Sequence, residues 1–501
     1  MTKVQKPEAF APDDRNQPLY ADRVRVYPQA VTGTVRRAKW AVLALCLGLY
    51  YLVPWIRWDR GPDQPHQAVL VDMDKGRLFF FWIEVWPQEV YYLTGLLLLG
   101  ALGIFAATSL FGRVWCGFTC PQTVWTDLYM LVERWIEGDR NARMRRDQKP
   151  RWGAADWGIK IGKHAAWVAI AAATGGAWVM YFTDAPTLVM DLLSFDVSPT
   201  ILGFIGLFTL STYLLAGWAR EQVCTYMCPW PRFQSAMLDD DSLAVSYRAW
   251  RGEPRGKARD TSAGDCIDCR ACVNVCPTGV DIRDGLQLAC INCGLCIDAC
   301  DNIMAKLGRP TALIAFETVG NLAAAGTATC AIPPGPARCA PGMAARRPAR
   351  LLRPRTWFYA AAMTTIGAVM LWAFVGRTDV AIEALRDRSP LFVRLADGSI
   401  RNSYTLKVSD RRHATDRLAV SVEGLPPGAA WQVLDRRDAD ANGRPLVETR
   451  ADGVAEFRLF VTTAPEGRPE EESTPVRIRL VAPDGEAERA AVGTIFLRPR
   501  T

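Results

Sequence analysis

The sequence predicts a polytopic α-helical membrane protein, with a cysteine-rich soluble module inserted before the last span and a small β-sandwich at the C-terminal end. Three observations predict this fold class. Five apolar stretches are each about 20 residues long, enough for a helix of about 30 Å to cross a bilayer. A separate region carries two closely spaced sets of four cysteines. Residues 377–501, in contrast, alternate apolar and polar positions as β-strands do.

The composition agrees with membrane segments. Of 501 residues, 50% are hydrophobic and 18 are Trp, which is heavy for a soluble protein. The net charge of +7 is modest and mixed in sign, so it gives no indication of nucleic-acid binding. Residues 1–37 contain several Pro, both charge signs and no apolar core. They predict a polar cytoplasmic tail rather than a cleavable signal peptide.

Four predicted spans lie in a membrane region at 38–235, and the fifth lies at 357–376. Their approximate bounds are Trp40–Ile56, Val90–Phe111, Ala165–Thr183, Ile201–Ala219 and Trp357–Gly376. The first is the shortest, but the aromatic residues around Trp55 suit a belt at the membrane interface.

The distribution of Lys and Arg predicts the orientation. Residues 112–163 carry ten Lys or Arg, whereas the connection 184–199 has three Asp and neither Lys nor Arg. The positive-inside rule then places the N-terminus, 112–163 and 220–356 in the cytoplasm. Everything after residue 376 is expected outside, because an odd number of spans puts the two large soluble parts on opposite sides.

A short motif occurs twice, at the inner ends of the second and fourth spans. The copies are Arg113-Val-Trp-Cys116-Gly-Phe-Thr-Cys120-Pro121 and Arg220-Glu-Gln-Val-Cys224-Thr-Tyr-Met-Cys228-Pro229. Positions i and i+4 of a helix share a face, so each pair can point two sulfurs the same way. The Pro disfavours helix at the preceding residue and suits the first position of a new helix. We therefore expect the four thiols at a helix break beneath the cytoplasmic headgroups.

Four thiolates from two adjacent helix ends would form a soft-metal site, of the kind that copper(I) prefers. Two alternatives remain open for these cysteines. They could form a redox-active dithiol pair, or they could be small residues that pack helix ends.

Between the fourth and fifth spans, the pattern C-x2-C-x2-C-x3-C is written twice, within 236–317. In bacterial ferredoxins with this pattern, the fourth Cys of each run ligates the other cluster. The pattern therefore predicts a bacterial-type 2[4Fe–4S] ferredoxin module. The expected ligands of the first cluster are Cys266, Cys269, Cys272 and Cys300, and those of the second are Cys290, Cys293, Cys296 and Cys276.

Zinc sites and disulfides fit these eight cysteines less well. Zinc normally uses paired Cys-x2-Cys or Cys/His sets rather than two interlocked triplets. A disulfide framework is disfavoured if the module is cytoplasmic.

The remaining regions carry no catalytic pattern. Residues 318–356 are rich in Ala, Gly, Pro and Arg, which predicts a linker. Beyond the fifth span, short alternating segments separated by Pro and Gly predict a small antiparallel β-sandwich. These segments are Ile400–Val408, Leu418–Val422, Glu456–Thr462 and Val476–Val481.

Together these features resemble the CcoG family, also called FixG or RdxA/RdxB, accessory proteins of cbb3-type cytochrome c oxidase. The resemblance lies in the two Cys-x3-Cys-Pro repeats, the ferredoxin stretch between spans four and five, and several shorter stretches. Those stretches are 52–59, 86–92, 115–140 and 401–407. The resemblance covers nearly the whole chain and implies an immunoglobulin-like fold for 377–501. The range 321–350 departs from the family's composition.

The resemblance implies a cupric reductase of the bacterial inner membrane that reduces Cu(II) to Cu(I) for assembly of the oxidase copper centre. The eight ferredoxin cysteines would hold two [4Fe–4S] clusters. The candidate copper ligands and catalytic residues are Cys116, Cys120, Cys224 and Cys228. Expected partners are oxidase assembly factors, copper-transport proteins, a cytoplasmic electron donor, membrane lipid and a second copy of the chain, with the C-terminal domain in the periplasm.

Two rival functions remain open. Similar Cys-x3-Cys-Pro motifs beside ferredoxin units occur in proteins that resemble partners of quinol oxidation, so the chain could be a quinol-linked electron conduit. It could also be a non-enzymatic scaffold for oxidase assembly.

Overall fold

The computed structural model describes residues 25–498, apart from 62–63, 261, 319, 322–351, 411–414, 427, 435–437, 451–452, 464–472 and 484–486. It divides into two compact units, Met1–Ala368 and Val369–Thr501, which are described separately below. Most of the predicted linker at 318–356 and of the predicted tail at 1–37 lies outside the described residues.

The first unit is mainly helical. Its helices are α1 (Thr34–Leu52), α2 (Tyr91–Phe111), α3 (Pro121–Glu137), α4 (Arg140–Asp147), α5 (Ala154–Val179), α6 (Ala185–Ser194), α7 (Pro199–Thr212), α8 (Trp230–Met237), α9 (Ala249–Gly252), α10 (Ala271–Val275), α11 (Leu295–Lys306) and α12 (Pro354–Val375). The last of these continues into the second unit.

Four helical segments are long and apolar enough to cross a membrane. They are Thr34–Trp55, Tyr91–Phe111, Pro199–Ala219 and Pro354–Val375. They coincide with the first, second, fourth and fifth predicted spans. The third predicted span, Ala165–Thr183, lies in α5, which is not among the four. The first half of α5 carries Lys160, Lys163 and His164, and these polar residues lower its mean hydropathy.

Helix α5 nevertheless runs along the bundle in the same direction as α1. Near its start, Lys160 donates a hydrogen bond to Asp147, which also accepts one from Tyr27 shortly before α1 begins. Just beyond its end, the Tyr181 hydroxyl donates to the carbonyl of Tyr50 near the end of α1. The start of α5 therefore lies beside the start of α1, and its end beside the end of α1.

The segment between α1 and α2 contains a small sheet that was not predicted from sequence. Three antiparallel strands, β1 (Val69–Asp72), β2 (Arg77–Phe80) and β3 (Ile83–Val85), form it. Arg60 fixes the adjoining loop, because its guanidinium donates to the carbonyls of Pro65, Gln67, Ala68 and Phe81.

The cysteine-rich module is closed by two antiparallel strands, β4 (Leu243–Tyr247) and β5 (Ile314–Thr318), which pair Val245 with Phe316. These strands enclose most of the predicted range 236–317. Between them, α10 and α11 pack on a core that includes Ile282 and Leu313. The pairing brings the two ends of the module together, so the cysteines between them are held in one compact unit.

The second unit contains two antiparallel sheets. One has the order β10-β12-β8-β6 with β7 beside β8, and the other has the order β11-β9-β13-β14. The strands are β6 (Val380–Arg386), β7 (Val393–Arg394), β8 (Ile400–Asp410), β9 (Arg417–Glu423), β10 (Ala429–Val433), β11 (Leu446–Glu448), β12 (Gly453–Thr463), β13 (Ser473–Val481) and β14 (Glu488–Leu497). All four predicted strand segments lie within β8, β9, β12 and β13. Their alternate apolar side chains, such as Leu406 and Ile478, form one core.

The core of this unit provides a test of its stability. Leu459 is fully buried, whereas Leu434 is 44% exposed. In the domain expressed alone, Leu459→Ala is expected to lower the free energy of unfolding by about 2–5 kcal/mol, because the cavity it leaves is only partly filled. Leu434→Ala is the matched control and is expected to change it far less. Equal losses in chemical denaturation would contradict the assigned core.

Candidate functional site

The eight cysteines of the ferredoxin module line two separate cavities. The first is lined by Cys266, Cys269, Cys272 and Cys300, together with apolar residues and Arg283. The second is lined by Cys276, Cys290, Cys293 and Cys296, with Cys272 at its edge. Each cavity thus combines a triplet with the distant cysteine that the crossed ligand pattern assigns to it. The residues present fit two polynuclear clusters, and the ligand assignment itself stays a prediction.

A single-ion site does not fit these cysteines. Among the described residues, no three Cys, His, Asp or Glu side chains lie close enough together to hold one metal ion. Zinc needs its ligands gathered at about 2.0–2.3 Å around one centre. Thiols spread around an apolar cavity are the arrangement that a larger iron–sulfur group requires.

The backbone around both triplets follows the same path. Asp268 and Asn292, each directly before a middle cysteine, have φ of 52° and 60°, and Arg270 and Gly294, directly after it, have φ of 55° and 70°. Asp, Asn and Gly tolerate this left-handed conformation better than other residues, and Arg270 is the exception. The repeated conformation wraps each triplet around its cavity.

Burial raises the pKa of the Cys290 and Cys300 thiols to about 12. At neutral pH these groups are therefore protonated in the metal-free protein. Cluster binding requires thiolates, so assembly must release these protons.

The two Cys-x3-Cys-Pro copies adopt matching structures. In each, a π-helical turn contains the first cysteine, Trp115–Thr119 in one copy and Val223–Met227 in the other. The second cysteine ends the turn, and its backbone N–H donates across five residues, Cys120 to Trp115 at 2.8 Å and Cys228 to Val223 at 2.7 Å. Such turns are rare and occur frequently at functional sites. The expected helix break is therefore present in both copies.

The structure brings the four thiols of the repeats into one neighbourhood. Cys116 is buried, Cys120 and Cys224 are partly buried, and Cys228 is exposed. Burial, and then repulsion from the other three sulfurs, raises the pKa of Cys116 to about 12. No three of them are close enough to hold a metal ion in this conformation. The four thiols therefore form a group but not a closed ion site, and their assignment as copper ligands stays a prediction.

These thiols pack against the second cavity. Cys116 and Cys224 belong to the same apolar cluster as Cys293 and Cys296, together with Ile291. Contacts between apolar side chains therefore connect the repeat thiols with the cysteines of the second cavity.

Close backbone approach makes this contact possible. A Cβ atom added to Gly117, inside the first π-helical turn, would lie 2.9 Å from the carbonyl oxygen of Ile291. Gly112 has φ +65°, and an added Cβ there would lie 2.0 Å from the carbonyl oxygen of Leu243. Both positions require glycine.

Arg113 connects the three parts of the site. Its guanidinium donates to the carbonyls of Leu288 at 2.5 Å, Cys290 at 2.8 Å and Pro231 at 2.7 Å. The first two lie on the loop of the second cavity, and Pro231 lies in α8 after the second repeat. From sequence, Arg113 was identified only as the start of a repeat. The second copy also begins with an arginine, Arg220, but that residue lies four positions before its first cysteine rather than three.

Two glutamines, neither of them identified from sequence, join the repeats. Gln234 of α8 is fully buried and accepts a hydrogen bond from the Cys116 thiol at 3.0 Å. Gln122, after the first repeat, donates to the carbonyl of Leu215 at 2.8 Å, before the second repeat, and to that of Arg220 at 3.2 Å, at its start. Each repeat therefore stabilises the other.

The first span is attached to the cluster-binding helix. Asp298, between Cys296 and Cys300 on α11, accepts hydrogen bonds from the backbone N–H groups of Val35 and Arg36 at the start of α1. A carboxylate at this position satisfies free N–H groups and interacts favourably with the helix dipole. The Lys39 ammonium, one turn further along α1, is buried 3.4 Å from a carboxylate oxygen of Asp127.

Three family models match the chain. A 4Fe-4S binding domain matches residues 93–139, a 4Fe-4S dicluster domain matches 219–319, and the IG-like fold at the C-terminal of FixG matches 370–499. The first match contains one Cys-x3-Cys repeat, and the second contains the other repeat and all eight ferredoxin cysteines. With the four apolar helices, these matches confirm the predicted fold class, including the immunoglobulin-like domain.

The chain is also similar to three characterised sequences. The nitrogen fixation protein FixG of Rhizobium meliloti is 47% identical over 90% of this chain and 88% of that protein. RdxB of Cereibacter sphaeroides is 47% identical over 83% of this chain and 87% of that protein, and RdxA of the same organism is 44% identical over 93% and 95%. A solved FixG-related protein from Vibrio parahaemolyticus matches 24% of this chain and 98% of its own, at 18% identity and a TM-score of 0.20. From the sequence identities, the chain belongs to the family of FixG, RdxA and RdxB.

Proposed function

We propose that this iron–sulfur protein is a membrane-bound cupric reductase, which passes electrons through two [4Fe–4S] clusters to Cu(II) at the Cys-x3-Cys thiols. The observation that carries the proposal is the packing of Cys116 and Cys224 against Cys293 and Cys296 in one apolar cluster. An electron carrier in the second cavity would lie directly beside soft metal ligands.

The exposure of the cysteines supports a direction for the transfer. Cys269, at the first cavity, is exposed, so a soluble donor can approach there. At the second cavity, Cys293 is buried and Cys290 and Cys296 are only partly accessible, while the apolar cluster leads on to the repeat thiols. When bound, each cluster would accept and release one electron. Electrons would then enter at the first cavity and leave from the second.

The repeat thiols suit the product ion. Adding one electron to Cu(II) gives Cu(I), which prefers thiolates to oxygen ligands. Because burial raises the pKa of Cys116 and Cys224 to about 12, copper must displace protons from them at neutral pH. The exposed Cys228 is the group that an incoming ion meets first. To bind one ion, the four cysteine side chains must then move closer to one another.

The setting of this reaction is also part of the proposal. We place the protein in the bacterial inner membrane, with the ferredoxin module in the cytoplasm and the immunoglobulin-like domain in the periplasm. The parallel course of α1 and α5 supports five crossings, since the start of α5 lies beside the start of α1. Oxidase assembly factors, copper-transport proteins, a cytoplasmic electron donor and a second copy of the chain are the proposed partners.

Replacing Cys116 and Cys224 by Ser together tests the destination of the electrons. We expect copper-dependent turnover to be lost, because the thiolates nearest the second cavity are gone, while both cluster signals remain in EPR. Cys46→Ser, which removes a thiol from α1, is the control and should retain turnover. Full Cu(II) reduction by the double variant, measured in stopped flow, would overturn the assignment of these thiols.

Single variants of the two distant cysteines test the crossed ligand sets. Cys300→Ser is expected to impair the cluster that also uses Cys266, and Cys276→Ser the cluster that also uses Cys290, since each lines the matching cavity. Iron and sulfide analysis with EPR of anaerobically purified protein measures the loss. If Cys300→Ser and Cys290→Ser removed the same signal, the crossed pattern would be wrong.

Cluster reduction by a quinol analogue in purified protein distinguishes the rival function. A copper reductase with a cytoplasmic donor is expected to show none. Rapid reduction by the analogue, without Cu(II) reduction, would instead favour a quinol-linked conduit.

A further inference from the structure

Arg113 is a buried cation without an acidic partner. Its side chain is 7% exposed, and its three hydrogen bonds all go to backbone carbonyls. Its Nε has no hydrogen-bond partner, and no carboxylate lies within 4.0 Å, within the described part of the chain. A buried charge is costly unless an opposite charge compensates it. Carbonyl dipoles supply hydrogen bonds but no net charge.

Other buried cations near the site are compensated. Arg220, which begins the second repeat, lies 3.0 Å from Glu133. Lys39 lies 3.4 Å from Asp127, and Arg353 pairs with Asp239. Of the two arginines that begin the repeats, only Arg220 has a carboxylate within 4.0 Å among the described residues.

The groups that face Arg113 indicate which negative charge compensates its guanidinium. The sulfurs of Cys290, at the second cavity, and Cys116, in the first repeat, both interact electrostatically with its guanidinium. Lys39 also faces the second cavity, through Cys293, but Asp127 faces the same cysteine and offsets it. A [4Fe–4S] cluster held by four thiolates carries net negative charge, and one-electron reduction adds another unit. The counter-charge of Arg113 is therefore the cluster.

We propose that Arg113 is a positioning residue that stabilises the reduced form of the second cluster and so raises its reduction potential. Net charge and hydrogen bonding around the sulfurs are the variables by which a protein sets such potentials. This inference rests on the presence of the second cluster in the proposed function, but it does not depend on copper being the acceptor.

The charged side chains around the first cavity are arranged differently. Two arginines line it, Arg270 and Arg283. The Arg283 guanidinium lies 2.6 Å from Asp281 and 2.5 Å from Asp268, and Arg270 also interacts with Asp268. Asp301 adds a further negative charge beside Cys300. The second cluster therefore has the higher potential of the two, and electrons move from the exposed cavity toward the repeat thiols.

A redox titration followed by EPR tests this directly, with Cys276→Ser used to assign the signal of the second cluster. Arg113→Gln removes the charge and is expected to lower the reduction equilibrium constant of the second cluster at least tenfold, which is 59 mV for one electron. The first cluster should shift much less. Arg113→Lys keeps the charge but loses the planar fork, so its potential should stay near that of the wild type.

Arg353→Gln is the matched control, because it removes a buried arginine whose charge Asp239 already compensates. It should leave both potentials unchanged. An unaltered second-cluster potential in Arg113→Gln, or equal shifts of both clusters, would overturn the inference. A tenfold fall in Arg113→Lys, which retains the charge, would also overturn it, and this criterion applies even if Arg113→Gln does not assemble the cluster.

The result of the Arg113 experiment can be distinguished from the result that tests the copper proposal. Wild-type protein with two clusters but no Cu(II) reduction would refute the copper reductase and leave the effect of Arg113 measurable. Wild-type protein without a second cluster would refute both.

Discussion

The contact between the first Cys-x3-Cys turn and the loop of the second cavity is the constraint on which the arrangement of the site depends. Two backbones meet there without an intervening side chain, because Gly117 faces the carbonyl of Ile291. Just before the turn, Gly112 approaches the carbonyl of Leu243 in β4 in the same way. Electron transfer weakens steeply with distance, so an approach made by glycine backbone has a direct functional value. Any side chain at these positions would separate the thiols from the cavity.

The two repeats form one unit through reciprocal contacts rather than through the cysteines alone. Gln122, after the first repeat, donates to carbonyls just before and at the start of the second, and Gln234, after the second, accepts from the Cys116 thiol of the first. Glu133 of α3 extends this by pairing with Arg220. Four thiols that are far apart in sequence can therefore respond together, which is what binding a single small ion demands.

The spacing of the cysteines and the periodicity of the apolar residues were sufficient to predict much of the fold from sequence. The cysteine spacing predicted which residues share each cavity, and period-two alternation located β8, β9, β12 and β13 correctly. The length of the apolar stretches identified four spans. It did not identify how polar the first half of α5 is, where Lys160 and Lys163 both pair with Glu137 of α3. The roles of Arg113, Gln234 and Asp298 could not be predicted, because each acts on residues over a hundred positions away.

The cap that Asp298 places on α1 has a consequence for biogenesis. The start of α1 is synthesised some 260 residues before its capping carboxylate, since Arg36 and Asp298 are 262 positions apart. Contacts of such sequence separation form late and slowly. During synthesis the first span must therefore enter the bilayer with its leading N–H groups open. The carboxylate that accepts from them belongs to the cysteine-rich module, so the start of the first helix is completed only after that module has folded.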